Sequence, residues 1–232
     1  MENNTFRNIA IWLVVTLTII IVILIVVGLS AGPGPTTGGL TVPVNSSDQI
    51  SGTSAPTLTI VEYSDYQCPA CAAFNPTVKE IMALYGDKIL FAYRNFPLEQ
   101  HKNAKSSAVA AEAAALQGKF LEMQEKLFTN QSEWGTSDDS RNIFIRYAKE
   151  LSLDTGKFAD DLLLPEIANK IAADLQSGKD SGVNSTPSFF LNGKKYVDSG
   201  KARTLDEALN EFKQFVKKNH KHYNNNTAST TY

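Results

Sequence analysis

Between Ile9 and Leu29 the chain carries no charged residue, and nearly every side chain in the run is Ile, Leu, Val, Ala, Trp or Thr. A helix that is apolar all round needs either a large protein core or lipid around it. At 1.5 Å per residue, about 20 such residues cross the ~30 Å hydrocarbon layer, whereas the apolar part of a cleaved signal runs to about 7–15. The run therefore predicts a retained transmembrane anchor over 9–29. Gly28 and Ser30 are small enough for a signal peptidase, which keeps cleavage as the alternative. Arg7 and the amino group lie before the run, and no charge follows it until Asp48. The positive-inside rule then places residues 1–8 in the cytoplasm and everything after Leu29 outside it, as a single-pass cell-membrane protein with an extracytoplasmic domain.

Past the anchor, residues 30–56 are rich in Gly, Pro, Thr and Ser and predict a flexible tether, and the Asn- and Thr-rich residues 222–232 predict a disordered tail. What remains, 57–221, suits one compact domain. With 22 Lys and Arg against 24 Asp and Glu, the chain has a net charge of −2 and no basic field for nucleic acid. Leu58 to Tyr63 and Lys88 to Phe96 read as strands. Between them Cys71, Phe74, Val78, Ile81, Met82 and Tyr85 recur at helical spacing, which completes a βαβ unit. A helical insertion over about 98–182 follows, with helices expected over Ala104 to Phe128, around Ile143 to Leu151, and over Phe158 to Leu175 with an interruption at Pro165. Two short strands, Ser188 to Leu191 and Lys194 to Val197, flank the hairpin signal Asn192-Gly193. A last helix opens on Thr204 and Glu207 in capping-box spacing. The order is β-α-β, helices, β-β-α, an α/β chain.

Only two cysteines are present, Cys68 and Cys71, placed just after a strand and at the start of a helix. The unpaired N–H groups and positive dipole end of a helix N-terminus stabilise a thiolate, so Cys68 is expected to be the accessible, low-pKa nucleophile and Cys71, one turn later on the apolar stripe, the buried resolving thiol. Pro69 fits the first helical turn, where it sacrifices no hydrogen bond. A structural metal site needs four ligands, and beyond the two cysteines the chain offers only His101, His220 and His222, two of them near the C-terminus. A purely structural disulfide across three residues removes little chain entropy. The pair reads as a redox-active dithiol that serves in place of any cofactor.

The segment Val61-Glu62-Tyr63-Ser64-Asp65-Tyr66-Gln67-Cys68-Pro69-Ala70-Cys71 resembles the active-site segment of DsbA-like thiol–disulfide oxidoreductases of the thioredoxin superfamily. Thr186-Pro187-Ser188-Phe189-Phe190-Leu191-Asn192-Gly193 resembles their second signature, and Arg94-Asn95-Phe96-Pro97-Leu98 matches as well. The resemblance implies a thioredoxin-like fold carrying a helical insert, and an enzyme. It implies a cis Pro187 beside Cys68, and a groove in which Thr186, Pro187, Pro69 and Ala70 meet substrate. It also implies that Glu62 is a buried acid exchanging a proton with Cys71, and that Pro76 kinks the first helix. His101 is read as a helix-entry residue before a site residue.

By the same resemblance, the chain is expected to form disulfide bonds in cysteine-containing exported proteins, as a monomer, and to be reoxidised by a quinone-linked membrane partner. Pro-Ala between the cysteines departs from the Pro-His of the most oxidising members, and Thr186 stands where many have Val. A reductase or isomerase on the same scaffold therefore stays open. So does a non-enzymatic, tethered chaperone-like module.

Overall fold

A computed structural model of the chain describes residues 12, 13, 16, 18, 38–196 and 204–227, within two compact units, 1–35 and 36–232. The expected cytoplasmic stretch, most of the expected anchor, residues 30–37, 197–203 and 228–232 lie outside the described residues. Trp12, Leu13, Thr16 and Thr18 are helical, and the Thr16 hydroxyl donates to the carbonyls of Trp12 and Leu13. Among the described residues no helix is long and apolar enough to cross a membrane.

In the second unit β1 (Gln49–Gly52), β2 (Leu58–Ser64), β3 (Ile89–Asn95), β4 (Ser188–Leu191) and β5 (Lys194–Lys195) form one mixed sheet in the order β1-β3-β2-β4-β5. β2 and β3 run parallel, joined by α1 (Pro69–Tyr85), while β4 pairs antiparallel with β2 and β5 with β4. The hairpin between β4 and β5 uses Asn192 (φ 48°) and Gly193 (φ 77°), left-handed conformations that these two residue types tolerate. The last helix, α8 (Leu205–Thr227), opens with reciprocal Thr204 and Glu207 hydrogen bonds of 3.2 Å each.

Between β3 and β4 lie α2 (Ala104–Ala115), α3 (Phe120–Thr129), α4 (Gln131–Trp134), α5 (Ser140–Glu150), α6 (Thr155–Asp161) and α7 (Pro165–Asp180). The single helix expected from Ala104 to Phe128 is two, broken at Gly118 (φ 70°), and Pro165 opens α7 at its first turn instead of interrupting one longer helix.

Period-two alternation in β2 divides the core. Val61 and Tyr63 face one side of the sheet, with Ala92, Phe96, Val183 and Phe190. Ile60, Glu62 and Ser64 share the opposite side, where Ile60 joins Phe91, Val78, Ile81 and Cys71 of α1 in the larger core. Glu62 is thus aimed at the helix that carries the cysteines.

Two boundaries differ from expectation. Residues 38–56, expected as tether, are folded into the domain: Gly39 bridges to Lys194 at one sheet edge, and β1 pairs antiparallel with β3 at the other. A Gly/Pro/Ser-rich segment cannot build a core, but it can add backbone hydrogen bonds to a sheet edge. It is also held by a buried ion pair in which Arg94 donates to both Asp48 oxygens (2.7 and 2.9 Å) and to the carbonyls of Val42 and Pro43. At the other end, α8 continues to Thr227, through the start of the expected tail. Once a helix is nucleated, each added residue gains a hydrogen bond, and Asn costs only a few tenths of a kcal/mol.

Candidate active site

Cys68 is the N-cap of α1, in extended backbone (φ −71°, ψ 121°), with Pro69 in the first turn and Cys71 one turn on. Both cysteines are free thiols. The first-turn N–H groups of Ala70 and Cys71 point back at the Cys68 sulfur, and Cys68 Sγ lies 3.4 Å from the Thr186 carbonyl, to which its S–H donates. The Thr186–Pro187 bond is cis. The structure thus brings Cys68, Cys71, Pro69, Ala70, Thr186 and Pro187 together.

Cys68 is less open than expected, at 7 % exposure, because the Thr186 loop closes on one side and α4 on the other. Its thiol pKa is nevertheless lowered to about 5, chiefly by the Cys71 thiol donating to it, against the opposing effect of burial, with help from the helix N–H groups. Cys71 is fully buried, and burial together with its hydrogen bond to Cys68 pushes its thiol well up. One thiol of the pair holds a thiolate at neutral pH and the other holds a proton.

Glu62, 5 % exposed, has its pKa raised to about 7 by burial, opposed by the Ser64 hydroxyl and reinforced by charge on Cys68. Its charge in turn raises Cys71. Pro76 lies inside α1, and the apolar stripe of that helix is buried at Cys71, Val78 and Ile81.

A set of residues that sequence reasoning passed over positions the loop before Cys68. The buried Asp65 carboxylate accepts from the backbone N–H of Gln67 (2.7 Å) and of Leu98 (2.9 Å) and pairs with His101 Nδ1 (2.7 Å), so His101, in the connection just before α2, braces this loop. Gln131 of α4 donates to the carbonyls of Tyr66 (2.6 Å) and Cys68 (3.0 Å). Gln67 reaches Gly135 and accepts from the Asn103 N–H, while the Asn103 amide donates to the carbonyls of Trp134, Gly135 and Ser137. The helical insert therefore clamps the backbone of the cysteine itself. Asp65, Gln67 and Leu98 lie inside recognisable motifs and His101 reads as a helix-entry residue, but Asn103 and Gln131 carry no signal.

Known proteins fit this geometry. Residues 45–211 match the profile of the thioredoxin family. The chain is 36 % identical over 165 residues to Na(+)/H(+) antiporter NhaA 1 of Mycobacterium sp. (strain KMS), covering 70 % of this chain and 26 % of that protein. It is likewise 36 % identical over 172 residues to Na(+)/H(+) antiporter NhaA 3 of Salinispora tropica, covering 73 % and 26 %. The chain thus spans about a quarter of the length of these relatives. Among solved structures, oxidised BdbD from Bacillus subtilis is similar with a TM-score of 0.65 at 21 % identity, over 80 % of this chain and 100 % of that one. A thioredoxin-like oxidoreductase from Silicibacter pomeroyi is similar with a TM-score of 0.56 at 25 % identity, over 73 % and 94 %. Wolbachia pipientis alpha-DsbA1 is similar with a TM-score of 0.64 at 23 % identity, over 79 % and 96 %. With its profile match across most of the chain and a dithiol at the head of the helix after the first parallel strand, the chain belongs to the thioredoxin family and has the fold of DsbA-type oxidoreductases.

Proposed function

We propose that the protein is a membrane-anchored thiol–disulfide oxidoreductase, acting outside the cytoplasm as a monomer, that forms disulfide bonds in cysteine-containing exported proteins. The observation that carries this reading is the placement of the pair: Cys68 caps α1 with its sulfur against the Thr186 loop, and Cys71 is fully buried one turn on, an arrangement that lowers the first thiol and raises the second. In the oxidised enzyme a substrate thiolate attacks Cys68 Sγ, the Cys68–Cys71 bond breaks, and Cys71 leaves as a thiolate that takes a proton from Glu62. A second substrate thiolate then attacks the substrate sulfur of the mixed disulfide. Cys68 departs as a thiolate, which is a good leaving group because the α1 N-terminus stabilises it. The substrate has lost two electrons and the enzyme holds them as a dithiol. A quinone-linked membrane partner accepts them, and no cofactor beyond the dithiol takes part. Thr186 and Pro187, with Pro69 and Ala70, line the contact with the substrate chain. The tethered reading draws support from the apolar run at 9–29 and from relatives in which a similar region shares a polypeptide with an antiporter.

The reduction potential tests the direction of electron flow. A cysteine at about 5 lies between the roughly 3.5 of a strong oxidant near −120 mV and the roughly 7 of a reductant near −270 mV. Converting the thiolate stabilisation at pH 7 by about 30 mV per tenfold puts the expected potential at roughly −160 to −220 mV. A value at or below about −270 mV would overturn the oxidase reading in favour of a reductase. That second reading has an observation of its own, since Ala70 brings no side-chain donor to Cys68. A Cys71→Ser variant is expected to accumulate mixed disulfides with exported proteins, and their absence would favour a chaperone-like module over either enzyme.

A further inference from the structure

Behind the dithiol, a cavity of about 470 Å³ lies between β1, α1 and α3. That volume falls in the range of small-molecule pockets. Its walls are apolar, formed by Val78 and Met82 of α1, Phe91 of β3 and Leu121 of α3. Its polar lining comprises Ser51, Asn75, Lys79, Glu62 and Gln124; Asn75 donates to Glu125 (3.1 Å), whereas the Glu62 carboxyl, 5 % exposed, and the Gln124 amide, 8 % exposed, have no such partner among the described residues. The Gln124 amide is open to the cavity, where it is free to pair with a group bound there. The cationic residue of the lining, Lys79, is already paired with Glu125 at 3.0 Å, and the other ionisable neighbours of Glu62 are Cys68, Cys71, Tyr66 and Tyr93, none of them a cation.

We propose that this cavity binds a small organic cation with an apolar body, such as an arylamidinium or arylammonium, whose charged end pairs with Glu62 and donates one N–H to the Gln124 carbonyl. The apolar walls take the ring, and the carboxylate sets the sign of charge at the inner end. Binding does not depend on the oxidoreductase reading. Its consequence does: a cation held against Glu62 lowers the capacity of that group to exchange a proton with Cys71, so occupancy slows thiol–disulfide exchange.

Benzamidine and its neutral isostere benzamide are the probes, titrated calorimetrically into the full chain in nanodiscs, with empty nanodiscs as the blank. Saturable binding of benzamidine at least tenfold tighter than benzamide is expected. Glu62→Gln is expected to erase that preference. Gln124→Leu is expected to weaken benzamidine several-fold while leaving the thiol–disulfide exchange rate unchanged. Leu121, 55 % exposed at the rim, can be enlarged without loading the core, and Leu121→Trp is expected to block both probes. Absence of saturable binding, equal affinity for the two probes, or binding indifferent to Leu121→Trp would each overturn the site. Tight binding without any change in exchange rate would leave the site standing and overturn the proton role of Glu62 instead.

Discussion

Raising the pH from 4 to 7 is expected to stabilise the reduced protein against unfolding by about 2–3 kcal/mol more than the oxidised protein. Cys68 has a thiol pKa of about 5 in the fold and one of about 8.5 in an unfolded chain. A depressed acid pKa contributes stability that is present above the folded value and is lost as the pH falls through it. At pH 7 the folded thiol is about 99 % ionised and the unfolded one about 3 %, a hundredfold difference worth about 2–3 kcal/mol. At pH 4 both forms are protonated and the contribution is about zero. In the oxidised protein Cys68 carries no proton to titrate. The crosslink adds its own stability to that form, but this is independent of pH and drops out of the change. Glu62 also titrates in this window, yet its shift comes mainly from burial, which both redox forms share, so it largely cancels. Cys71 is pushed up and stays protonated throughout in the reduced form. Urea unfolding of both redox forms at stepped pH measures the difference, and the ultraviolet absorbance of the thiolate gives an independent midpoint, expected near 5. A difference flat with pH, together with a thiolate appearing only above about pH 8, would refute the assignment of thiolate stabilisation to the head of α1.

Three further outcomes follow from particular contacts. Glu62→Gln removes an acid whose pKa is raised from 4.5 to about 7, a group that costs stability as the pH rises through that interval. The variant is expected to be more stable than the parent by about 3 kcal/mol at pH 8, with little difference at pH 4, and to exchange thiols more slowly at neutral pH. Gln131→Leu frees the carbonyls of Tyr66 and Cys68 and is expected to raise the Cys68 pKa by roughly 0.5–1, the worth of one hydrogen bond, as read by thiolate absorbance, with the fold retained by circular dichroism. Arg94→Met strands Asp48 in the core and is expected to cost about 3–5 kcal/mol in urea unfolding, with the N-terminal segment around β1 losing amide-exchange protection first.

What could be read along the chain was the chemistry that local pattern carries. The family resemblance pointed to Glu62, the strand-to-helix junction placed Cys68, and helical spacing placed Cys71 one turn inward. Asn192-Gly193 and the Thr204 capping box need only their immediate neighbours, and both formed as expected. The parts that escaped are contacts without a local signature. Asp48 meets Arg94 across 46 positions and Gln131 meets Cys68 across 63, and neither Asp48 nor Gln131 stands in a periodic pattern that would single it out. The edge strand β1 escaped for a related reason, since it is too short and too polar to announce itself, and its stability comes from a partner strand and a buried arginine.

The dithiol and its helix supply the thiolate stabilisation common to any cysteine at a helix N-terminus. The Cys68 backbone, however, is held at its ψ of 121° by residues contributed from the insert and from the loop after β3. Gln131 grips the Cys68 carbonyl, while Asp65 accepts the N–H groups that set the turn leading into it. A change in any of these leaves the Cys-Pro-Ala-Cys motif intact while moving the direction in which the first-turn N–H groups meet the sulfur. Two chains with the same four motif residues can therefore differ in Cys68 pKa, and so in redox potential, through residues that lie far from the motif in sequence. For this reason the insert belongs to the dithiol site in a physical sense, even though both cysteines lie outside it.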